Sequence, residues 1–273
     1  MVNQKKVDLI LNKRDIKLTK KRCSNYRIRI LEISQKVSAL HLGGSFSCTE
    51  ILDILFNKIM TKIEKKLFIL SKGHASILQY VILESQKTLS KFQVNNYCKK
   101  KGFLGVHPDR GNPGINASTG SLGHGLAMAT GIALAERKTN NRIFVVLSDG
   151  ELQEGSTWEA IISIGALKLN NLVAIIDNNN LQSLEKMNES HPNMYPIEEK
   201  IKSFGWNALS CNGHNSSQLF KIINQKKENK PLAIIAKTTK GYPLSMFKDP
   251  IWHYRSPNNE QYLKAIKELK NEK

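Results

Sequence analysis

Cysteine is scarce in this sequence: Cys23, Cys48, Cys98 and Cys211 stand far apart, with no CxxC pair and no histidine cluster beside them. Such spacing gives neither a disulfide framework nor a zinc site, so four free thiols are expected. Long apolar runs are missing too. Nothing approaches the roughly 18 to 20 apolar residues that span a bilayer. The N-terminal stretch 1–22 is basic but carries Asp8 and Asp15 and lacks a continuous apolar core. It therefore matches neither a secretory signal nor an acid-free transit peptide, and a cytoplasmic protein is expected. Acidic residues are also few, 23 Asp and Glu against 41 Lys and Arg, for a net charge of +18. That balance suits a nucleic-acid binder. Yet the lysines are spread along the chain, in clusters at 5, 20, 65, 99 and 226, and no motif with interleaved aromatics accompanies them. They read as a compositional habit or as a surface facing an acidic partner, and nucleic-acid binding is not expected as a main function.

What is present is an alternation of helical and strand-like segments, the pattern of a mostly parallel sheet with helices on both faces, hence an α/β fold. Helix is expected over 25–40. Ser47 and Glu50 have capping-box spacing and would open a second helix to about Met60. LFIL at 67–70 reads as a strand leading into a helix near 76–86, with another helix around 90–101. The Gly- and Pro-rich stretch 102–120 is too long for a plain connector and is a candidate functional loop. LGHGLAMATGIALAE, rich in Gly and Ala, suits a helix packed closely on a strand or a partner chain. IFVVLS at 143–148 and LVAIID at 172–177 read as strands, with a helix between them opened by Ser156 and Glu159 in capping-box spacing. A loop over 181–195, strands at WNALSC and LAIIAK, a helix near 216–226 and an amphipathic helix over 258–270 complete the chain. No repeat, low-complexity linker or boundary is visible, so a single domain over 1–273 is expected.

The chemistry starts at SDGELQEG and DNNNL. Asp149 and Asn179 stand about 30 residues apart, each just past a strand-like segment. If those strands are parallel neighbours, both side chains reach the carboxyl edge of the sheet, where open α/β folds bind ligands. Mg²⁺ takes about six oxygens in near-octahedral array, commonly from one or two protein groups, phosphates and water. The Asp149 carboxylate, the Asn179 amide oxygen and a main-chain carbonyl near Leu181 would supply three, two diphosphate oxygens and a water the rest. The plainer alternative is that DG and NNN are turns after buried strands, which Asp, Asn and Gly favour.

Asp149-Gly150 followed about 30 residues later by Asn179 resembles the motif of the transketolases, which are thiamine-diphosphate enzymes. The resemblance continues through HLGGSFSCTEIL (41–52), SKGHAS (71–76), GVHPD (105–109), STGSLGHGLAMATG (118–131), KTTKG (237–241) and WHY (252–254), in the family's order. It implies the thiamin-diphosphate-binding fold, with thiamine diphosphate and Mg²⁺ as cofactors and Ca²⁺ or Mn²⁺ able to substitute. By this resemblance Asp149, Asn179 and Leu181 hold the metal, and His74 and His253 contact the diphosphate. Gly120 and Leu122 hold the cofactor rings, and Gly150 belongs to the same cofactor motif. His41, His107 and His253 handle the oxygens of a sugar, a role suited to an imidazole that titrates near neutrality. Taken singly, His74 is equally a helix-start residue and His41 and His107 exposed loop residues. Glu154 matches an acidic residue that couples two sites across a dimer interface; alternatively it is a helix N-terminal carboxylate favoured by the dipole. Three departures are visible: Ser121 and His124 stand where many members carry Pro and Gln, and Ser148 replaces the first Gly of the metal motif.

The resemblance covers nearly the whole chain but only the first third to half of a full-length transketolase. The pyrimidine-binding domain, whose glutamate protonates the aminopyrimidine, and the C-terminal domain fall outside it. The implied protein is the N-terminal, diphosphate-binding subunit of a split transketolase, which pairs with a separately encoded C-terminal subunit in an α2β2 heterotetramer. It would move a two-carbon ketol unit from a ketose to an aldose, phosphorylated or not. A specialised ketotransferase or carboligase making an unusual or surface sugar is the alternative, and WHYRSP with His124 favours it.

Overall fold

The computed structural model describes residues 10–37, 40–62, 67–225 and 229–271. The lysine clusters at 5, 65 and 226 lie outside the described residues. Among the described residues there are seven strands: β1 (Leu67–Leu70), β2 (Ile143–Ser148), β3 (Leu172–Asn178), β4 (Leu181–Gln182), β5 (Glu185–Lys186), β6 (Asn207–Asn212) and β7 (Leu232–Lys237). Five form one sheet in the order β1-β2-β3-β7-β6, all pairs parallel, and β4 with β5 makes a small antiparallel hairpin. A parallel sheet must be covered on both faces, and the strands are apolar on both. Phe68, Leu70, Phe144, Val146, Val173, Ile175 and Ile234 join one core, over which lie the helices Lys13–Ser34, Thr49–Ile54, Ser76–Ser85, Ser216–Asn224 and Asn259–Asn271. Ile69, Val145, Leu147, Ala174, Ile176 and Ile235 join the other, beneath Gly125–Ala135, Gly155–Ala166 and Ile197–Ser203.

The expected strands recur within a residue at each end. The helices differ more. The first runs Lys13–Ser34, not 25–40, because the Asn12 side chain caps it by accepting from the Asp15 N–H at 2.8 Å. Neither expected capping box forms. Ser47 donates instead to Asp177 at 2.6 Å, and Glu50 pairs with Arg27 at 2.7 Å. Ser156 donates to the Gly123 carbonyl at 3.0 Å. A true box opens Lys91–Asn95, where Ser90 and Gln93 bond each other's backbone, but that helix stops well before 101. The segment 181–195 is no simple loop: it holds the β4–β5 hairpin, a helical turn Met187–Ser190 and a 3₁₀ turn Pro192–Met194. The Gly/Ala-rich helix Gly125–Ala135 packs on β1 and β2, as expected of a close-approaching helix. Gly125 permits this, since a Cβ there would overlap Oγ of Ser71. All four cysteines are free thiols, and only Cys98 is exposed. Among the described residues no helix is long and apolar enough to cross a membrane.

Candidate active site

The parallel register of β2 and β3 aligns Ser148 with Asp177 and sends both chains out at the same carboxyl edge. Directly past them, Asp149 is fully buried, with Oδ1 accepting from the Gly150 N–H at 3.0 Å and Oδ2 from the Asn180 N–H at 2.5 Å. Asn180 takes a positive φ of 60°, and the turn folds Asn179 back so that its Oδ1 accepts from the Leu181 N–H at 3.1 Å. Each of these side-chain oxygens keeps a second lone pair. Burial, then the neighbouring Asp177, pushes the Asp149 carboxyl up to about 7, and a cation beside it would favour the charged form. The donor set thus fits a hard divalent ion. Among the described residues no group of three His, Cys, Asp or Glu is placed to hold a metal ion by itself.

Above this edge lies a cavity of about 290 Å³. Ser148, Gly150, Asn179 and Leu181 form one wall, Gly120 and Leu122 another, and His41, His74, His107, Lys240 and His253 the rest. The expected residues therefore converge, with two exceptions: Asp149 lies just behind the wall, and Glu154 is exposed outside it. Glu154 occupies the N-cap of Gly155–Ala166 without a side-chain capping bond, against Gly123. The loops that form the cavity touch closely. A Cβ on Gly73 would meet the Gly120 N at 2.8 Å, and one on Gly120 (φ +150°) would meet the His107 ring at 2.7 Å.

The imidazoles form a cluster: His41 lies 5.3 Å from His74, 5.2 Å from His253 and 4.6 Å from the Tyr254 ring. Burial and then His253 push His41 down to about 4. Burial and then Lys240 do the same to His253, and burial with Lys72 takes His74 well below its ordinary value. These rings are neutral at neutral pH, where an exposed histidine would be titrating. Nδ1 of His41 is buried without a hydrogen-bond partner, so the ring has a polar atom to offer a ligand.

Two lysines complete the site, and neither stands out in the sequence. Lys72 is wholly buried beneath the floor, with Nζ 2.5 Å from Asp177 and 2.8 Å from the Gly44 carbonyl. Burial alone would discharge it, but Asp177 holds its ammonium charged and raises its pKa. Asp177 also accepts from Ser47 and Thr238. Lys240 reaches into the cavity, bonded to Nδ1 of His253 at 2.9 Å and the Ser183 carbonyl at 3.0 Å. Burial, then Lys72, pushes it down to about 8. The cleft thus carries cationic and neutral imidazole groups above a cation-ready edge, a setting for a phosphorylated ligand.

The family model "Transketolase, thiamine diphosphate binding domain" matches residues 19–269. The chain belongs to the transketolase family. The matched domain is the one that binds thiamine diphosphate in this family. Similar to the chain is one of the subunits of the apulose-4-phosphate transketolase of Phocaeicola vulgatus, 34% identical over 89% of this chain and 90% of that protein. A 6-deoxy-6-sulfo-D-fructose transketolase subunit of a Clostridium species is 32% identical over 89% and 92% respectively. Among solved structures, transketolase from Campylobacter jejuni superposes with a TM-score of 0.87 at 27% identity, over 95% of this chain but 43% of its own. The chain therefore spans less than half the length of that full transketolase.

Proposed function

We propose that this chain is the diphosphate-binding subunit of a two-chain transketolase, in which residues 1–273 make one domain and a separate C-terminal subunit supplies the pyrimidine-binding half, as α2β2. The observation that carries this reading is the cavity at the carboxyl edge of β2 and β3, where imidazoles and Lys240 face a buried Asp149–Asn179 turn. Its match over nine-tenths of proteins named as transketolase subunits supports the two-chain form.

When bound, thiamine diphosphate supplies an electron sink for the two-carbon acyl carbanion, which no side chain stabilises. The chain's own residues bind and orient. Asp149, Asn179 and the main chain at Leu181 would hold Mg²⁺, with Gly150 letting the backbone lie close. His74, Lys240 and His253 would contact the diphosphate, and Gly120 with Leu122 the rings. Glu154, exposed beside Gly123, would meet the partner. His41, His107 and His253 face the sugar. Held neutral, His41 and His253 would accept protons from hydroxyls or donate hydrogen bonds to carbonyl oxygens, and their basicity would rise with an anionic ligand bound in the cleft.

The substrate class that we favour is a less common ketose or aldose. Tyr254, 56% exposed, stands edge-on to His41, which lines the cleft, and the relatives above are named for apulose 4-phosphate and a sulfofructose. The cofactor reading is tested by Asp149→Ala in the reconstituted complex. Calorimetry should show Mg²⁺-dependent thiamine diphosphate affinity lost; unchanged affinity would remove the metal assignment.

A further inference from the structure

Lys240 is delivered to the cleft by the segment 238–242, which is fastened on both sides. Within the cleft face, Thr238 bonds Asp177, and the Gly241 N–H donates to the Gly43 carbonyl at 3.1 Å. The Lys240 stem runs so close over Gly43 that a Cβ there would stand 2.9 Å from its Cγ. What fastens Thr239 belongs to another cavity, of about 480 Å³, which Thr239 and Tyr242 line together with Glu50 and His214.

The Thr239 N–H donates to Nε2 of His214 at 2.8 Å, and Nδ1 of the same ring lies 3.0 Å from Oε2 of Glu50. A ring nitrogen that accepts carries no proton, so His214 is the Nδ1-protonated tautomer and donates to Glu50. Glu50 is itself fixed by Arg27, with 2.7 and 2.8 Å bonds between two buried side chains. The Tyr242 ring stacks on His214 with centroids 3.8 Å apart, and the Arg27 guanidinium lies 5.3 Å from the Tyr242 centroid. The ring thus joins a rigid buried ion pair to the backbone one residue before Lys240.

We propose that His214 is a positioning residue for thiamine diphosphate: its Nδ1-protonated tautomer ties Thr239 to the Arg27–Glu50 pair and thereby sets where Nζ of Lys240 stands in the cleft. This rests on the reading of Lys240 as a diphosphate contact. The gain comes from holding the cation at one point, because ligand groups displaced by a fraction of an ångström lose most of their worth. The geometry also separates the two ring nitrogens. In His214→Gln the amide oxygen replaces Nε2 and still accepts from Thr239, whereas His214→Asn replaces Nδ1, still donates to Glu50 and leaves Thr239 without an acceptor.

The test has three readings. Nitrogen NMR of the unmodified chain should show the Nδ1-protonated tautomer of His214; the Nε2-protonated form would overturn the proposal without any variant. Amide exchange at Thr239 should quicken by about tenfold in His214→Asn and stay near wild type in His214→Gln, with exchange in the preceding strand β7 unchanged. Calorimetric affinity for thiamine diphosphate in the complex with the partner subunit should fall by about tenfold in His214→Asn alone. Equal effects of the two substitutions would reduce His214 to packing on Tyr242 and overturn the proposal. Failure of the unmodified complex to bind the cofactor would instead overturn the underlying reading of the cleft, a result that wild-type binding distinguishes.

Discussion

At the scale of single residues, the site rests on buried charges that satisfy one another. Lys72 and Asp177 are both inaccessible to solvent and lie 2.5 Å apart. The pair gains little net stability over an apolar one, but breaking it strands a charge in the interior. Lys72→Met should therefore cost about 3–5 kcal/mol in chemical denaturation, and a loss below about 1 kcal/mol, the range of exposed pairs, would contradict the buried-pair account. Sequence made half of this site readable. Asp149, Asn179 and the four histidines sit in motifs whose residue types announce chemistry. Lys72 and Lys240 were hidden inside the same motifs, because a lysine in a chain with 41 Lys and Arg carries no signal of its own. Their roles come from burial, which no local pattern reports. His214 escaped for another reason: its partners Glu50 and Thr239 are far away in sequence.

At the scale of elements, strands were legible, as were the helix starts at Ser76, Ser216 and Asn259, whereas the start of the first helix and the two capping boxes were not. An unbroken apolar run such as IFVVLS has one use in an α/β chain, and β2 spans it residue for residue. A Ser followed three residues later by Glu has several uses, and tertiary partners claimed both expected boxes: Asp177 and Arg27 in one case, the Gly123 carbonyl in the other. Local capping yields about 1 kcal/mol, less than leaving Asp177 or Arg27 unpaired in the core would cost. The Gly/Ala-rich helix shows the converse, a local composition that long-range packing demands. A hypothetical Cβ on Gly125 would overlap Oγ of Ser71 and stand 2.5 Å from its Cβ. Gly125→Ala should therefore push the helix off β1 and destabilise the fold by about 1–3 kcal/mol, as overpacking does. A stabilised variant, the usual result of Gly→Ala in an open helix, would show that the helix sits farther from the strand.

For the whole molecule, the histidine cluster links cleft and stability. His41 titrates at 6.5 when unfolded but is pushed down to about 4 in the fold. Between those values the unfolded chain binds the extra proton, so His41 makes stability fall as pH drops through that window. Asp149, raised to about 7, acts in the opposite sense, since there the folded chain holds the proton. In His41→Asn the loss of denaturation midpoint between about pH 6.5 and about pH 4 should be shallower than in wild type; an equal or steeper loss would contradict the buried, neutral imidazole.

That cleft is half of a transketolase site in this account, so turnover is the deciding measurement. Rigorously purified chain, thiamine diphosphate, Mg²⁺ and a panel of ketose donors and aldose acceptors should give no ketol transfer alone. Addition of the C-terminal partner subunit should produce it, and Asp149→Ala should abolish it again. Turnover by the isolated chain would contradict the central claim.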